Sequence, residues 1–381
     1  MNLKNNPLSD RFYSIDMLRA IMMVMGVFFH AAVIFCHRKN IQDWPVFDNE
    51  QSYFFDIIVG LIHSFRMHLF FFVSGFSTSI LYLRKGSKVM LINRLKRIVL
   101  PFLFSFIILS PLISYTSDLI NNNTTNDSLN HLSSYSFHFF LTQPLYHLWF
   151  LYYLIFYILL CWSFEQLFQY KLFQVERIKK SFKKLIPNVW FRLFSLSAII
   201  LIYFLLTGKN HFYSPLKFEI SPSSFIVYFI FYSLGWLVFK TDTLSNFSKE
   251  KPSLLLILGL ILYFVSNANI IFHFENFKYV QFVISAFSHV LLILGFLSLI
   301  LRNFNFKSKI SDTILNASYW TYLIHVLIIF VIYLFITDIT PNIYLKFSIL
   351  FLGTSIVSYL SYALFVKRTF VGVFLNGKKI K

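Results

Sequence analysis

Ten apolar runs, each close to the length that a helix needs to cross a bilayer, recur along this 381-residue chain. A spanning helix takes about 20 apolar residues at a rise of about 1.5 Å each. Hydrophobic residues make up 57% of the chain, more than a soluble core of this size can bury. We therefore predict a polytopic membrane protein, and exclude a water-soluble enzyme, with spans at 17–35, 53–83, 98–116, 147–168, 191–207, 223–239, 253–269, 279–301, 314–336 and 343–366.

Lysine and arginine alternate between the two sides of these spans. If the segments are assigned to alternating sides, 26 of the 34 basic residues fall on the side that holds both termini, and six fall on the other side. Cytoplasmic segments carry this excess in membrane proteins, so both termini are predicted to face the cytoplasm. The net charge of +18 then reflects contact with anionic lipids of the inner leaflet rather than binding to nucleic acid.

The chain is expected to form one all-α domain, a bundle of about ten transmembrane helices over residues 1–381 with short cytoplasmic tails at 1–15 and 367–381. A cleavable signal peptide is not expected. Residues 118–146 form a polar outer loop without lysine or arginine. The basic segment 169–190 is either a solvated inner loop or an amphipathic surface helix. Cys36 and Cys161 lie in or beside apolar runs and are expected to be packing residues.

Ionisable groups inside the first span are candidate site residues because burying them in lipid is costly. Asp16 and Arg19 lie three residues apart at the cytoplasmic entrance and could pair on one helical face. His30 lies eleven residues beyond Arg19, about 16 Å further along the helix. Helix capping and interface anchoring are the simpler explanation for Asp16.

The second span carries His63, Arg66 and His68. Arg66 is poorly placed to reach water, and His63 shares its helical face. The two side chains therefore either line a cavity or form a structural contact between helices. Ser74 and Gly75 lie after them, and such small residues indicate close contact with another helix.

Further polar groups lie at the starts or middles of later spans. His147 and Trp149 open the fourth span, where Trp149 could equally belong to an interfacial aromatic belt. His289 and His325 lie midway along the eighth and ninth spans. Several histidines at similar depth favour a shared, water-filled cavity over isolated buried hydrogen bonds.

Two arginines precede the third span, where Arg94 and Arg97 are three residues apart. This spacing would allow both side chains to bind phosphates, although the general excess of positive charge on the inner side explains them equally well. Gly-rich phosphate loops, HExxH, GxSxG and metal-binding histidine pairs are absent from the sequence. The available chemistry is therefore imidazole as a base and guanidinium as an anion holder, which suits acyl transfer to an alcohol without a metal.

Five segments resemble, in order, the motifs of the acyltransferase 3 family of integral membrane O-acyltransferases. The wording around Arg66 is most similar to the glucan-modifying OpgC-like branch, from which His68 departs because that branch usually has proline there. The five segments are RFYSIDMLRAIMMVMGVFFH, HSFRMHLFFFVSGF, RLKRIVLP, HLWFL and SYWTYLIH.

The resemblance implies transfer of an acyl group, such as acetyl or succinyl, from cytoplasmic acyl-coenzyme A to a hydroxyl of a cell-envelope glycan or glycolipid. It implies that His30 is the catalytic base or an acyl carrier, that Arg19 with Asp16 orients the donor, and that Arg94 and Arg97 hold its phosphates. The substrate-binding residues would be His63, Arg66, His147, Trp149 and His325.

The expected location is a bacterial inner membrane, and the expected partners are the donor, the acceptor, membrane lipids and either a second copy of the chain or a glycan-assembly protein. The alternative is a secondary transporter or flippase that uses the same histidines and arginines as a path for substrate and protons. Such proteins commonly contain inverted repeats and broken helices, which we do not find in this sequence.

Overall fold

The computed structural model describes residues 12–37, 44–121, 144–169, 175–267, 277–304, 309–337, 339 and 341–376. Within these ranges the secondary structure is entirely helical, which confirms the predicted all-α class. The α-helices are α1 Tyr13–Val33, α2 Tyr53–Lys85, α3 Ser87–Arg94, α4 Leu100–Ile120, α5 Trp149–Gln169, α6 Val175–Leu185, α7 Val189–Thr207, α8 Pro222–Lys240, α9 Ser245–Ser248, α10 Pro252–Asn267, α11 Lys278–Asn303, α12 Lys309–Ile336, α13 Ile343–Ser361 and α14 Phe370–Asn376.

Nine helical stretches of the described residues are long and apolar enough to cross a membrane. They correspond to nine of the ten predicted spans, so the chain is a multi-pass integral membrane protein. The seventh predicted span coincides with α10, which has 16 residues and is therefore about 24 Å long, shorter than the roughly 30 Å hydrocarbon core of a bilayer. The predicted orientation of the termini stays a prediction.

Several predicted segments at the membrane surfaces fall partly outside the described residues. These are the polar loop 118–146, which is described only at its ends, and the tails 1–15 and 367–381. The described part of the C-terminal tail forms α14, whose Leu375 is buried. The basic segment 169–190 contains α6, so a helix forms where a solvated loop was the alternative prediction.

Helix α2 lies at the centre of the bundle and packs against α1, α8 and α11. Helix α1 in turn contacts α12 and α13, and α10 packs along α11. Cys36 and Cys161 are both buried and neither is in a disulfide, in agreement with packing roles. The central helices therefore bury His30, Arg66 and His68 of the first two predicted spans inside protein rather than lipid.

Helices α2 and α8 approach each other closely at two glycines. A Cβ atom on Gly75 would overlap the carbonyl oxygen of Tyr232, and a Cβ atom on Gly235 would overlap the carbonyl oxygen of Phe72. Because backbone atoms stand on both sides of the contact, neither overlap can be relieved by rotating a side chain. Gly75 therefore confirms the predicted close helix contact.

Replacing Gly75 with alanine is expected to destabilise the protein by about 1–3 kcal/mol or more, because α2 and α8 must move apart. The measurement is thermal unfolding of the detergent-solubilised protein. Gly353→Ala is the matched control, because its Cβ would meet only the side-chain tip of Ile332 at 3.2 Å. Equal melting temperatures for the two variants would contradict the close contact.

Candidate active site

Two neighbouring cavities in the bundle hold most of the predicted site residues. The larger one, here called the arginine cavity, is lined by Asp16, Arg19, Arg94 and Arg97 among other residues. The smaller one, here called the histidine cavity, is lined by His30, Arg66, His147, Trp149 and His325 among others. The sequence predicted one shared cavity for the histidines. In the structure, the predicted site residues are divided between two cavities.

A change of helix type presents the two arginines of the third motif to the arginine cavity. Arg94 ends α3, and Arg97 lies in a π-helical turn, Leu95–Val99, that joins α3 to α4. Such turns widen a helix locally and are frequent at functional sites. The hydroxyl of Tyr319 donates to the carbonyl of Arg97 at 2.7 Å, which ties this turn to α12.

The arginine cavity carries a clear excess of positive charge. Arg19 pairs with Asp16 at 3.5 Å, and its side chain stays 38% exposed. Arg94 and Arg97 add two further guanidinium groups, while Asp16 is the only carboxylate among the described residues that line this cavity. Three guanidinium groups against one carboxylate favour an anionic ligand with more than one charge, such as a phosphate-containing molecule.

Three imidazole rings meet in the histidine cavity, from α1, from the short 3-10 helix Tyr146–Leu148 that precedes α5, and from α12. The ring centroid of His30 lies 5.1 Å from that of His325 and 6.3 Å from that of His147. The centroids of His147 and His325 are 4.7 Å apart. The bundle therefore brings together three histidines that are separated by up to 295 residues in the chain.

Backbone carbonyls determine which nitrogen carries the proton in two of these rings. His147 donates from Nε2 to the carbonyl of Leu323 at 3.1 Å, and His325 donates from Nδ1 to the carbonyl of Tyr322 at 2.7 Å. Because a carbonyl only accepts, the opposite nitrogen of each neutral ring holds a lone pair. Both of those nitrogens, and Nδ1 of His30, are buried without a hydrogen-bond partner among the described residues.

Arg66 is buried in the histidine cavity without a neutralising carboxylate. Among the described residues, none of the ion pairs involves it. Its guanidinium lies over the ring of Phe29 at 4.4 Å and donates weakly to the carbonyl of Met25 at 3.5 Å. A buried cation without a carboxylate costs several kcal/mol, so the cavity is electrostatically suited to hold an anion or a developing oxyanion.

Gly26 makes room for Arg66 on the surface of α1. A Cβ atom at this position would lie 3.2 Å from Nη1 of Arg66. The absence of a side chain lets the guanidinium lie against the helix that also carries His30. The positive charge and the imidazole are thereby held in the same cavity by neighbouring turns of α1.

Not every predicted site residue lies in a cavity. His63 lines neither cavity, and its Nε2 donates to the carbonyl of Phe212 at 2.9 Å, so the structure gives it a contact between segments. His289 donates from Nδ1 to the carbonyl of Ser285 at 2.6 Å and also lies outside both cavities. Trp149 is buried in the histidine cavity rather than exposed at a membrane interface.

The aromatic residues beside the imidazoles include Tyr322 and Trp44, which were not among the predicted site residues. The hydroxyl of Tyr322 donates to the carbonyl of His147 at 2.8 Å, and its ring lines the histidine cavity. Trp44 stacks on His30 with centroids 5.0 Å apart and planes inclined by 20°. The position of Tyr322 three residues before His325 was a usable signal, because that spacing places both on one helical face. Trp44 lies outside the predicted spans and gave no signal.

The segment after Trp44 is fixed by a buried ion pair. Asp48 accepts from Nζ of Lys346 at 2.7 Å and from the hydroxyl of Tyr333 at 2.9 Å. Its own backbone N–H donates to the carbonyl of Ile34 at 2.8 Å. These contacts hold the segment between α1 and α2 against α12 and α13, and thereby hold Trp44 over His30.

The described residues contain no group of three or more histidine, cysteine, aspartate or glutamate side chains that could hold a metal ion. The predicted chemistry without a metal stays a prediction. The residues that line the histidine cavity include three imidazoles and one guanidinium. Together they can accept a proton and stabilise a negative charge.

Comparison with known proteins identifies relatives that share the name glucans biosynthesis protein C. Glucans biosynthesis protein C from Escherichia coli strain SMS-3-5 is 32% identical over 167 residues, which cover 42% of this chain and 41% of the relative. The protein of the same name from Shigella dysenteriae serotype 1 strain Sd197 is 32% identical over 165 residues, with the same shares. In these alignments the chain spans about two fifths of the relatives' length.

A longer alignment joins this chain to glucans biosynthesis protein C from Escherichia coli strain UMN026. The two are 25% identical over 332 residues, which cover 84% of this chain and 83% of the relative. No solved structure is significantly similar to the chain. A family model described as an acyltransferase domain matches residues 12–365, which include every residue of the two cavities except Leu375. The resemblance found in the sequence is thus confirmed, and the chain belongs to this family of acyltransferases.

Proposed function

We propose that the protein transfers an acyl group from acyl-coenzyme A to a hydroxyl of a cell-envelope glycan or glycolipid. The donor's phosphates would bind Arg19, Arg94 and Arg97 in the arginine cavity, and the thioester would enter the histidine cavity. The observation that carries this proposal is the adjacency of the two cavities, one suited to polyphosphate and the other to acyl transfer.

In the proposed reaction, His30 accepts the proton of the acceptor hydroxyl while the oxygen attacks the thioester carbonyl carbon. The charge that develops on the carbonyl oxygen lies near Arg66, which stabilises it. The carbon–sulfur bond then breaks, the carbon–oxygen ester bond remains, and the proton on His30 passes to the leaving thiolate. His147 and His325 are proposed to orient the reactants through their unpartnered nitrogens.

The names of the relatives support a glucan as the acceptor, because those proteins are described as glucans biosynthesis proteins. Membership of an acyltransferase family favours acyl transfer over the transporter or flippase hypothesis. A bacterial inner membrane is the proposed location, since acyl-coenzyme A is cytoplasmic and the glycan lies outside. The proposal also includes that the protein associates either with a second copy of itself or with a glycan-assembly protein.

The proposal is tested with the purified protein in proteoliposomes, supplied with radiolabelled acetyl- or succinyl-coenzyme A and a cell-envelope glucan. Label is expected in the glucan, and mass spectrometry of glycans from a deletion strain should show loss of the same acyl mass. If no donor transfers label and the deletion strain's glycans are unchanged, the proposed function is wrong.

A double variant, Arg94→Ala with Arg97→Ala, is expected to raise KM for acyl-coenzyme A about tenfold to a hundredfold, because the lost guanidiniums contact the donor away from the reacting carbonyl. The rate at saturating donor should change little. Lys96→Ala is the matched control, because Lys96 lies between the two arginines, is exposed and lines neither cavity. An equal increase in KM for Lys96→Ala would mean that the general positive charge of this surface, rather than the two arginines, determines donor binding.

A further inference from the structure

Three apolar side chains line both cavities at once. Met23 of α1, Phe70 of α2 and Phe150 of α5 belong to the wall of the arginine cavity and to the wall of the histidine cavity. We call these three residues the shared wall. The shared wall therefore consists of side chains from three different helices that lie between the two cavities.

Helix α12 runs along both cavities past the shared wall. Asn316 and Tyr319 face the arginine cavity, while Tyr322 and His325 face the histidine cavity. The rings of Tyr319 and Tyr322 are stacked, with centroids 6.3 Å apart and planes inclined by 4°. A continuous line of side chains on one helix therefore connects the phosphate-binding region to the imidazoles.

We propose that Met23, Phe70 and Phe150 form the passage through which the acyl group reaches His30, and that their size selects the length of the acyl chain. This inference rests on the proposed function and adds a specificity determinant to it. The bulky nucleotide would stay in the larger arginine cavity, while the thioester and a short acyl group would enter the smaller histidine cavity past the shared wall.

The three side chains of the shared wall differ in how easily they can change conformation. Phe70 is held by ring contacts with Phe150 at 4.4 Å and with Tyr322 at 6.4 Å between centroids. Met23 is unbranched and has three rotatable side-chain bonds, so it adapts to a passing ligand more easily than an aromatic ring. Met23 is therefore the position at which a substitution should change acyl selection with the least damage to packing.

The direct test compares acetyl-, butyryl- and octanoyl-coenzyme A as donors for the wild-type protein and for Met23→Ala. The wild type is expected to prefer the acetyl donor. Met23→Ala is expected to raise kcat/KM for the longer donors, relative to acetyl, by about tenfold or more, since a few methylenes in an apolar pocket have effects of that size. Phe70→Leu, which keeps an apolar side chain, should shift the preference in the same direction.

Met17→Ala is the matched control, because Met17 lies on the same helix and lines neither cavity. It should keep the donor preference of the wild type. If Met23→Ala and Phe70→Leu are folded and active yet show the same preference as Met17→Ala, the shared wall does not select the acyl group and the inference is overturned.

A second measurement separates this inference from the proposed function. Met22 lines only the histidine cavity, so Met22→Cys in a Cys36→Ala, Cys161→Ala background reports access to it. Membrane-impermeant sulfonatoethyl methanethiosulfonate, added to the cytoplasmic face of inverted vesicles, should label this cysteine. Met23→Ala should increase the labelling rate and Met23→Trp should decrease it.

The labelling result holds even if the protein transfers none of the donors. A rate that responds to residue 23 as expected, without any transferase activity, would support the passage and refute the proposed reaction. A rate that is the same for methionine, alanine and tryptophan at position 23 would overturn the passage itself.

Discussion

Arg66→Met is expected to lower the rate of acyl transfer at saturating donor by about a hundredfold or more, in line with the loss of one charge-stabilising group from an enclosed site. The same variant is expected to be at least as resistant to thermal unfolding as the wild type. Arg66 is buried and forms no ion pair among the described residues, so methionine removes an uncompensated charge and keeps an apolar side chain of similar length.

The measurements are single-turnover transfer to the glycan and thermal unfolding in detergent, made on the same preparations. Arg66→Lys is the conservative control, which keeps the charge but not the planar group of donors. A variant that unfolds at a much lower temperature than the wild type would show that Arg66 is structural. Full activity of Arg66→Met would refute its role in stabilising the oxyanion.

His30→Ala is expected to lower the rate of acyl transfer to between about a hundredth and a ten-thousandth of the wild-type rate. A loss of this size is the usual contribution of a general base. The protein should still fold and insert, because Nδ1 of His30 is buried without a hydrogen-bond partner among the described residues. Transfer measured with labelled donor, together with retained donor binding, separates loss of chemistry from loss of substrate.

His289→Gln is the control for a buried histidine outside both cavities, and its amide can still donate to the carbonyl of Ser285. It should retain transfer within a few-fold of the wild type. If His30→Ala transfers acyl groups at the wild-type rate, another base acts, and His325, with its lone pair on Nε2, becomes the first residue to test.

The bundle was largely predictable because lipid imposes a simple length rule on helices. Runs such as 17–35 and 343–366 coincide with α1 and with α13 and its π-helical extension to Val366, since about 20 apolar residues leave few alternatives. The rule works less well for α10, where 16 helical residues pack beside α11.

The site was predictable where residues share one helix and less so where helices must meet. The spacing of Asp16 and Arg19 indicated their pairing, which the structure contains. The same spacing placed His63 on the face of Arg66, and both side chains contact the ring of Phe29, but His63 also donates to the carbonyl of Phe212 and lines neither cavity. The stacking of Trp44 on His30 depends on the ion pair between Asp48 and Lys346, which are 298 residues apart in the chain. Local periodicity carries no information about such a contact.

The indole above His30 has a consequence for unproductive turnover. Trp44 is 6% exposed and covers one face of the imidazole, with Tyr146 and Phe330 at its edges. A thioester brought beside His30 would be screened from bulk water on that side, so spontaneous hydrolysis would compete poorly with attack by a sugar. Removal of this aromatic cover, for instance by Trp44→Ala, would increase hydrolysis of the activated donor relative to transfer.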